Sequence, residues 1–286
     1  MTPKDSDWKN LSITNVIMQR CREFEKTFPL VPNTWHRCHQ YAISDALMPN
    51  IRNVWSFGIS KECFEKTFPL VPNTWHRCHQ YAISDALMPN IRNVWSFGIS
   101  KECRMEEQIR KHNKETKIHT WDPTPISQTT IDKANSRMAN IIHANKAYDP
   151  ENKSLTFYTT DPTKRCYSLE NFDPENLVHS YTVNCVSIKD IVEQLGNSVD
   201  LIKFDIEGRW YEICKEILDL NLNVKQVVGE FEMYMGDEDT QFQNLNAIIE
   251  RFKNNGYKVY CNRLLAETNT GHIPNNPCVE LTFING

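Results

Sequence analysis

From about Asn93 onward, short apolar runs and amphipathic stretches take turns along the chain. Runs rich in β-branched and aromatic residues, bounded by Gly, Pro or Asp, read as strands. They fall at Asn93–Phe97, Lys117–Trp121, Leu155–Tyr158, Val199–Phe204 and Gln226–Phe231, with a closing pair at Tyr257–Tyr260 and Val279–Ile284. Helical spacing of apolar positions predicts helices over Lys101–Asn113, Ser187–Leu195, Trp210–Leu220 and Gln241–Asn254, the last stopped by Gly256. Ile188, Ile191, Val192 and Leu195 illustrate that spacing. Strands alternating with helices predict an α/β fold: a mostly parallel, Rossmann-like sheet of seven strands, covered on both faces, with an antiparallel terminal strand. Thr159 to Ser180 shows no period and is expected to form surface loops.

The N-terminal third follows a different rule. Forty residues, Phe24 to Cys63, recur without a difference as Phe64 to Cys103. Repeats that build solenoids diverge and need about three units to bury a core. Two identical copies instead indicate one domain carrying a redundant insert. The second copy runs on through Arg104-Met105-Glu106-Glu107-Gln108-Ile109, a helix-forming stretch without a breaker, whereas the first runs into Pro69. The second copy is therefore expected to belong to the fold, and the first to be surplus, imperfectly packed or disordered. The predicted division is an N-terminal segment over 1–63 and a domain over 64–286.

Composition narrows the function. With 40% hydrophobic and 24% charged residues, the chain has the balance of a globular protein. A net charge of −4 argues against a sequence-independent grip on nucleic acid. No apolar run approaches the roughly 18 residues of a membrane span, and Met1 to Arg20 lacks the apolar centre of a signal peptide. As written the chain is expected in the cytoplasm; the sequons at Asn10 and Asn152 would suit a secretory route were a leader encoded upstream. None of the ten cysteines forms a CxxC pair, and the W-H-R-C-H cluster (His36 and His39, repeated as His76 and His79) lacks further ligands at diagnostic spacing. No metal is expected.

Chemistry is expected where the strands end. In an open parallel sheet, ligands sit at the carboxyl ends of the strands, near the reversal of strand order. Asp122 follows the second predicted strand, Asp205 the fourth, and Glu230 lies at the end of the fifth. An acid after the second strand can accept both ribose hydroxyls of a nucleoside. One after the fourth can face a substrate or the charged amino-acid end of a cofactor. Carboxylates in such places also cap helices, so the ordered trio says more than any member. His119 and His143 are read as structural, and Trp75, Tyr81 and Phe97 as packing residues.

The run Leu201-Ile202-Lys203-Phe204-Asp205-Ile206-Glu207-Gly208 closely resembles the D-[IV]-E-G motif of the FkbM family of S-adenosylmethionine-dependent methyltransferases. Val186-Ser187-Ile188-Lys189-Asp190-Ile191 precedes it at the family's spacing. Trp95-Ser96-Phe97-Gly98-Ile99, Trp121-Asp122-Pro123-Thr124 and Cys278-Val279-Glu280-Leu281-Thr282-Phe283-Ile284-Asn285 are similar to the YSFGI, FDPT and CAEYSFIN signatures of its animal methyltransferase-like branch. The resemblance covers Asn93 to the C-terminus. It implies the class I methyltransferase fold, S-adenosyl-L-methionine as cofactor, and a cofactor site built from Ser96, Phe97, Gly98, Asp122 and Asp205. It also departs from the family in three places. Only Gly98 remains of a glycine-rich loop, with Ser96 where an acid would stand; Trp210 replaces a common acid; Glu232 stands where relatives tend to have histidine.

The activity so implied is in-line methyl transfer to oxygen or nitrogen, with O-methylation of a small-molecule or glycan-like acceptor expected. Asp205, Glu230 and Glu232 are the candidate catalytic bases, Asp205 foremost. A catalytically inactive binding module on the same fold is the alternative. A nicotinamide oxidoreductase is disfavoured because G-x-G-x-x-G is absent.

Overall fold

A computed structural model describes residues 35–38, 41–44, 75–78, 81–137, 139–151, 154–159, 179–232, 238–264 and 278–286. The chain divides into two compact units, Met1–Phe68 and Pro69–Gly286. In the first, β1 (Trp35–Cys38) and β2 (Tyr41–Ser44) form an antiparallel hairpin. The rest of the first repeat copy lies outside the described residues, and with it the expectation that this copy is surplus.

The second unit opens with the same hairpin from the second copy, β3 (His76–Cys78) and β4 (Tyr81–Ile83), in the same register: Cys78 faces Tyr81 as Cys38 faces Tyr41. A seven-stranded sheet follows. Its strands are β5 (Asn93–Phe97), β6 (Lys117–Trp121), β7 (Ile141–Ala144), β12 (Leu201–Phe204), β13 (Gln226–Glu232), β14 (Tyr257–Leu264) and β15 (Cys278–Asn285). They lie in the order β14-β15-β13-β12-β5-β6-β7. β15 runs antiparallel to both neighbours, and the pairs from β13 to β7 are parallel. This is the expected mostly parallel, Rossmann-like sheet of seven strands with an antiparallel terminal strand. Strand order reverses between β5 and β12, so a crevice opens at their carboxyl ends.

The third predicted strand needs correcting. Leu155–Tyr158 does form a strand, β9 (Leu155–Thr159), but it pairs with β10 (His179–Val183) in a separate two-stranded ribbon. β7 holds the edge position instead. Its Ile142 is 54% exposed and it carries the polar His143, so the short run lacks the apolar continuity that marks a buried strand. β8 (Ala147–Tyr148) and β11 (Cys185–Val186) make a small parallel bridge. Residues 160–178, most of the predicted surface loop, lie outside the described residues.

Five helices are described: α1 (Arg104–His112), α2 (Pro125–Ser136), α3 (Ile188–Leu195), α4 (Trp210–Asp219) and α5 (Glu238–Asn254). The pattern of apolar residues missed α2. Its signal was Pro125 in the first turn, a position where proline's lost N–H costs nothing. Ser187 caps α3 by accepting from the Asp190 amide while the Asp190 carboxylate accepts from the Ser187 amide, a capping box. Glu216 of α4 adds to that cap, accepting from the amides of Ile188 and Lys189 at 3.0 Å each.

Alternation along the central strands sends Val94 and Leu201 to one face, where they join Cys78, Tyr81 and Ile83 of the hairpin, Met105 and Ile109 of α1, and Ile131 of α2. Gln226 binds the hairpin to the sheet: its amide donates to Ala82 O at 2.7 Å and accepts from the Ser84 N–H at 3.1 Å. Gly229 is required in β13, because a Cβ there would lie 2.2 Å from the Phe204 ring.

Candidate active site

At the carboxyl end of β5 the chain turns at Gly98, whose φ is +80°. A Cβ on Gly98 would lie 1.7 Å from the Asp205 carbonyl oxygen, so only glycine lets the loop pass that close to the end of β12. The amide of Asp205 donates to Phe97 O and that of Gly98 to Trp121 O, tying three strand ends together.

Asp122, the residue after β6, is buried and faces this loop. Its Oδ2 accepts from the amides of Ile99 (2.6 Å) and Ser100 (2.7 Å), and its Oδ1 from the Thr124 amide (2.7 Å) and hydroxyl. A cavity of about 220 Å³ opens beside it. Gly98, Asp122, Tyr148, Asp205, Glu207 and Arg209 are among its walls, with Trp121 and Phe157 adding aromatic surface. Asp122 and Asp205 are thus brought to one cavity from the ends of different strands.

Other predicted site residues lie apart from it. Ser96 is fully buried and its hydroxyl donates to Glu106 Oε1 at 2.5 Å. Phe97 is buried and stacks on Trp121 at 4.8 Å. Both set the position of β5 and neither lines the cavity.

The D-x-E-G turn holds two consecutive residues at positive φ, Glu207 at +45° and Gly208 at +88°. Their amides point to the Glu232 carboxylate, at 3.1 and 3.4 Å. The Glu232 carbonyl accepts from the Trp210 indole at 3.2 Å. Glu232 is thereby committed to shaping the turn, and Trp210 to packing beneath it. Burial, then the charges of Asp205 and Glu207, push the Glu232 carboxyl well above the usual range. Glu230, nearer the surface, is raised to about 7, first by burial and next by Asp205. It is the candidate base whose protonation changes near neutrality.

Sequence reasoning missed Tyr81 and Lys203. The Tyr81 hydroxyl donates to Asp205 Oδ2 at 3.4 Å, and the Lys203 ammonium lies 4.0 Å from the same oxygen. Neither partnership has a sequence signal, since each joins distant elements. Arg209, also missed, reaches Asp149 at 3.4 Å and Glu212 at 3.1 Å along the cavity wall. His143 bonds through its ring to Thr120 (2.8 Å) and Ser127 (3.1 Å), as a structural histidine would. Among the described residues, no group of three or more His, Cys, Asp or Glu is placed to hold a metal ion, and no helix is long and apolar enough to cross a membrane.

Comparison with solved structures finds weak likenesses. A precorrin-6y C5,15-methyltransferase from Geobacter metallireducens GS-15 is 13% identical over 77% of this chain and 96% of its own, with a TM-score of 0.37. An O-methyltransferase from Bacillus cereus, solved with SAH, is 10% identical over 70% of this chain and 77% of its own, with a TM-score of 0.40. At these scores the likeness is too slight to assign a substrate or a residue's role. Curated proteins searched by sequence return no match. Residues 88–259, by contrast, match the profile of the methyltransferase FkbM domain. That stretch exceeds half the chain and includes both acid-bearing strand ends and the D-x-E-G turn, so the chain belongs to the FkbM methyltransferase domain family.

Proposed function

We propose that the protein is an S-adenosyl-L-methionine-dependent methyltransferase that methylates an oxygen of a small-molecule or glycan-like acceptor, and that it belongs to the animal methyltransferase-like branch of the family. The observation that carries this reading is the meeting of Asp122 and Asp205 on one cavity beside Gly98, at the reversal of strand order. The donor set fits the cofactor. A carboxylate suits a hydroxyl or an ammonium, and the Trp121, Tyr148 and Phe157 side chains give a purine apolar walls.

When bound, the cofactor supplies a methyl group on a positively charged sulfur, already a strong electrophile. The protein's task is then alignment, worth up to roughly 7–11 kcal/mol of the barrier. Asp122, both of whose oxygens are engaged by the Ile99, Ser100 and Thr124 amides and the Thr124 hydroxyl, fixes the loop against which the ribose lies. Asp205, which lines the cavity, faces the reacting end and takes the proton of a hydroxyl acceptor. Glu230 lies in its field and exchanges protons near pH 7, a favourable range for acid–base work.

One observation favours a binding module without turnover: Glu232, a candidate base, is engaged by the Glu207 and Gly208 amides. Calorimetric titration with S-adenosylhomocysteine, beside Asp122→Ala, tests the cofactor site. Binding that weakens at least about tenfold in a variant that still melts cooperatively is the expected result. Absence of binding by the wild-type chain would overturn the reading. Binding with no turnover across hydroxyl acceptors would move it to the binding module.

A further inference from the structure

Lys203 places a charge inside the sheet. It lies on β12 opposite Ser96 of β5 and is 4% exposed. An ammonium taken out of water needs partners that replace its hydration. Those partners are specific. Its Nζ donates to the carbonyl oxygens of Phe97, at 3.2 Å, and Gly98. It stands 4.0 Å from Asp205 Oδ2 and 5.3 Å from the centre of the Tyr81 ring. The buried Glu106 carboxyl, which accepts from the Ser96 hydroxyl, is pushed up by burial, an effect that the nearby Lys203 charge partly offsets.

The two carbonyls belong to the last residue of β5 and the first of the loop along the cavity. The next two backbone groups of interest are the amides of Ile99 and Ser100, and both are held by Asp122. The Gly98 amide is on Trp121 O. From Phe97 to Ser100 the backbone is thus gripped on its carbonyls by a cation from β12 and on its amides by an anion following β6. The grip comes from the two strands that flank β5 in the sheet.

We infer that Lys203 is a positioning residue of this site: its ammonium, set against the Asp122 carboxylate across β5, fixes the Phe97–Ser100 backbone and the Asp205 carboxylate where a nucleoside cofactor meets them. The clamp does for a loop with a single glycine what close backbone packing does for a glycine-rich one. This inference rests on the cavity being the cofactor site. The bland alternative is that Lys203 serves only as a partner for the buried Glu106 carboxyl.

The two roles separate in the pair Lys203→Met and Lys203→Met/Glu106→Gln, assayed by thermal melting, S-adenosylhomocysteine titration and amide hydrogen exchange. The single variant leaves Glu106 and Asp205 without their cation, and is expected to melt lower and bind more weakly. The double variant also replaces the Glu106 carboxyl that the single variant leaves without Lys203, and is expected to recover most of the melting temperature. It should still bind at least about tenfold more weakly, the scale of hydrogen bonds to a charged group, and should exchange the Ile99 and Ser100 amides faster. A double variant that binds as the wild type does, with exchange unchanged, would show that Lys203 serves only as a partner for Glu106. If the wild-type chain binds no S-adenosylhomocysteine, the cofactor reading fails by itself. Exchange then decides: unchanged protection at Ile99 and Ser100 in the double variant overturns the clamp, and faster exchange upholds its backbone role.

Discussion

Four carboxylates, Asp205, Glu207, Glu230 and Glu232, influence one another around the end of β12. The energetic consequence is clearest at Glu230. Its carboxyl is raised from 4.5 to about 7 in the folded protein, so between those values the folded state holds a proton that the unfolded state has released. Stability must then fall as pH rises through that window. The scale is about 1.4 kcal/mol per unit, lessened by water at a group that is not fully buried. Glu230→Gln removes the proton difference. Its stability relative to the wild type, followed by urea denaturation from pH 5 to 8, should rise with pH by on the order of 2 kcal/mol. A flat difference would mean that Glu230 titrates normally.

At the scale of elements, α3 and α4 are joined by Glu216 as well as by direct packing. Its carboxylate accepts from the first two amides of α3 and from the Tyr148 hydroxyl, at 2.9 Å. It therefore satisfies donors that a helix start leaves open and places an aromatic wall of the cavity in the same stroke. Burial, then Glu216, raises the Tyr148 hydroxyl's pKa and keeps it a donor. Glu216→Ala should cost about 1–3 kcal/mol, the range for unsatisfied buried donors, read as a lower urea midpoint. It should also weaken S-adenosylhomocysteine binding through the loosened Tyr148. Loss of stability with unchanged affinity would confine Glu216 to capping.

For the whole molecule the duplication has a physical consequence. The seat filled by the second copy receives β3, β4, β5 and the Gly98 turn, and every residue of these recurs in the first copy, with Tyr41 for Tyr81 and Gly58 for Gly98. The two differ in connection. The second copy runs straight into α1; seating the first would close a forty-residue loop between Cys63 and Arg104, costing about 3 kcal/mol. Gly98→Val, which drives a side chain into the Asp205 carbonyl, should abolish cooperative melting in a chain lacking one copy. In the full chain it should only lower the melting temperature, because the first copy takes the seat. Gly58→Val alone should be silent and the double variant should not fold. Full-length Gly98→Val melting like the double variant would show that the first copy cannot enter the sheet.

Much of this organisation is written locally. Apolar runs ending in Asp122 and Asp205 announced strand ends with acids, because a strand's burial and its termination are read from neighbouring residues. Gly98 was legible for the same reason: a sharp turn after a strand calls for a residue that tolerates positive φ. The third strand was misread because Leu155–Thr159 has the alternation of any half-buried strand, and its partner is chosen by tertiary pairing. Lys203 read as one polar residue in an apolar run. Only the placement of β12 beside β5 turns its ammonium toward the Phe97 and Gly98 carbonyls, and only the hairpin docked by Gln226 brings Tyr81 to Asp205. The sequence by itself determined most of the elements, the family and which strand ends carry acids. The tertiary structure decided what each side chain meets, because those partners lie up to more than a hundred residues away and are joined by strand order.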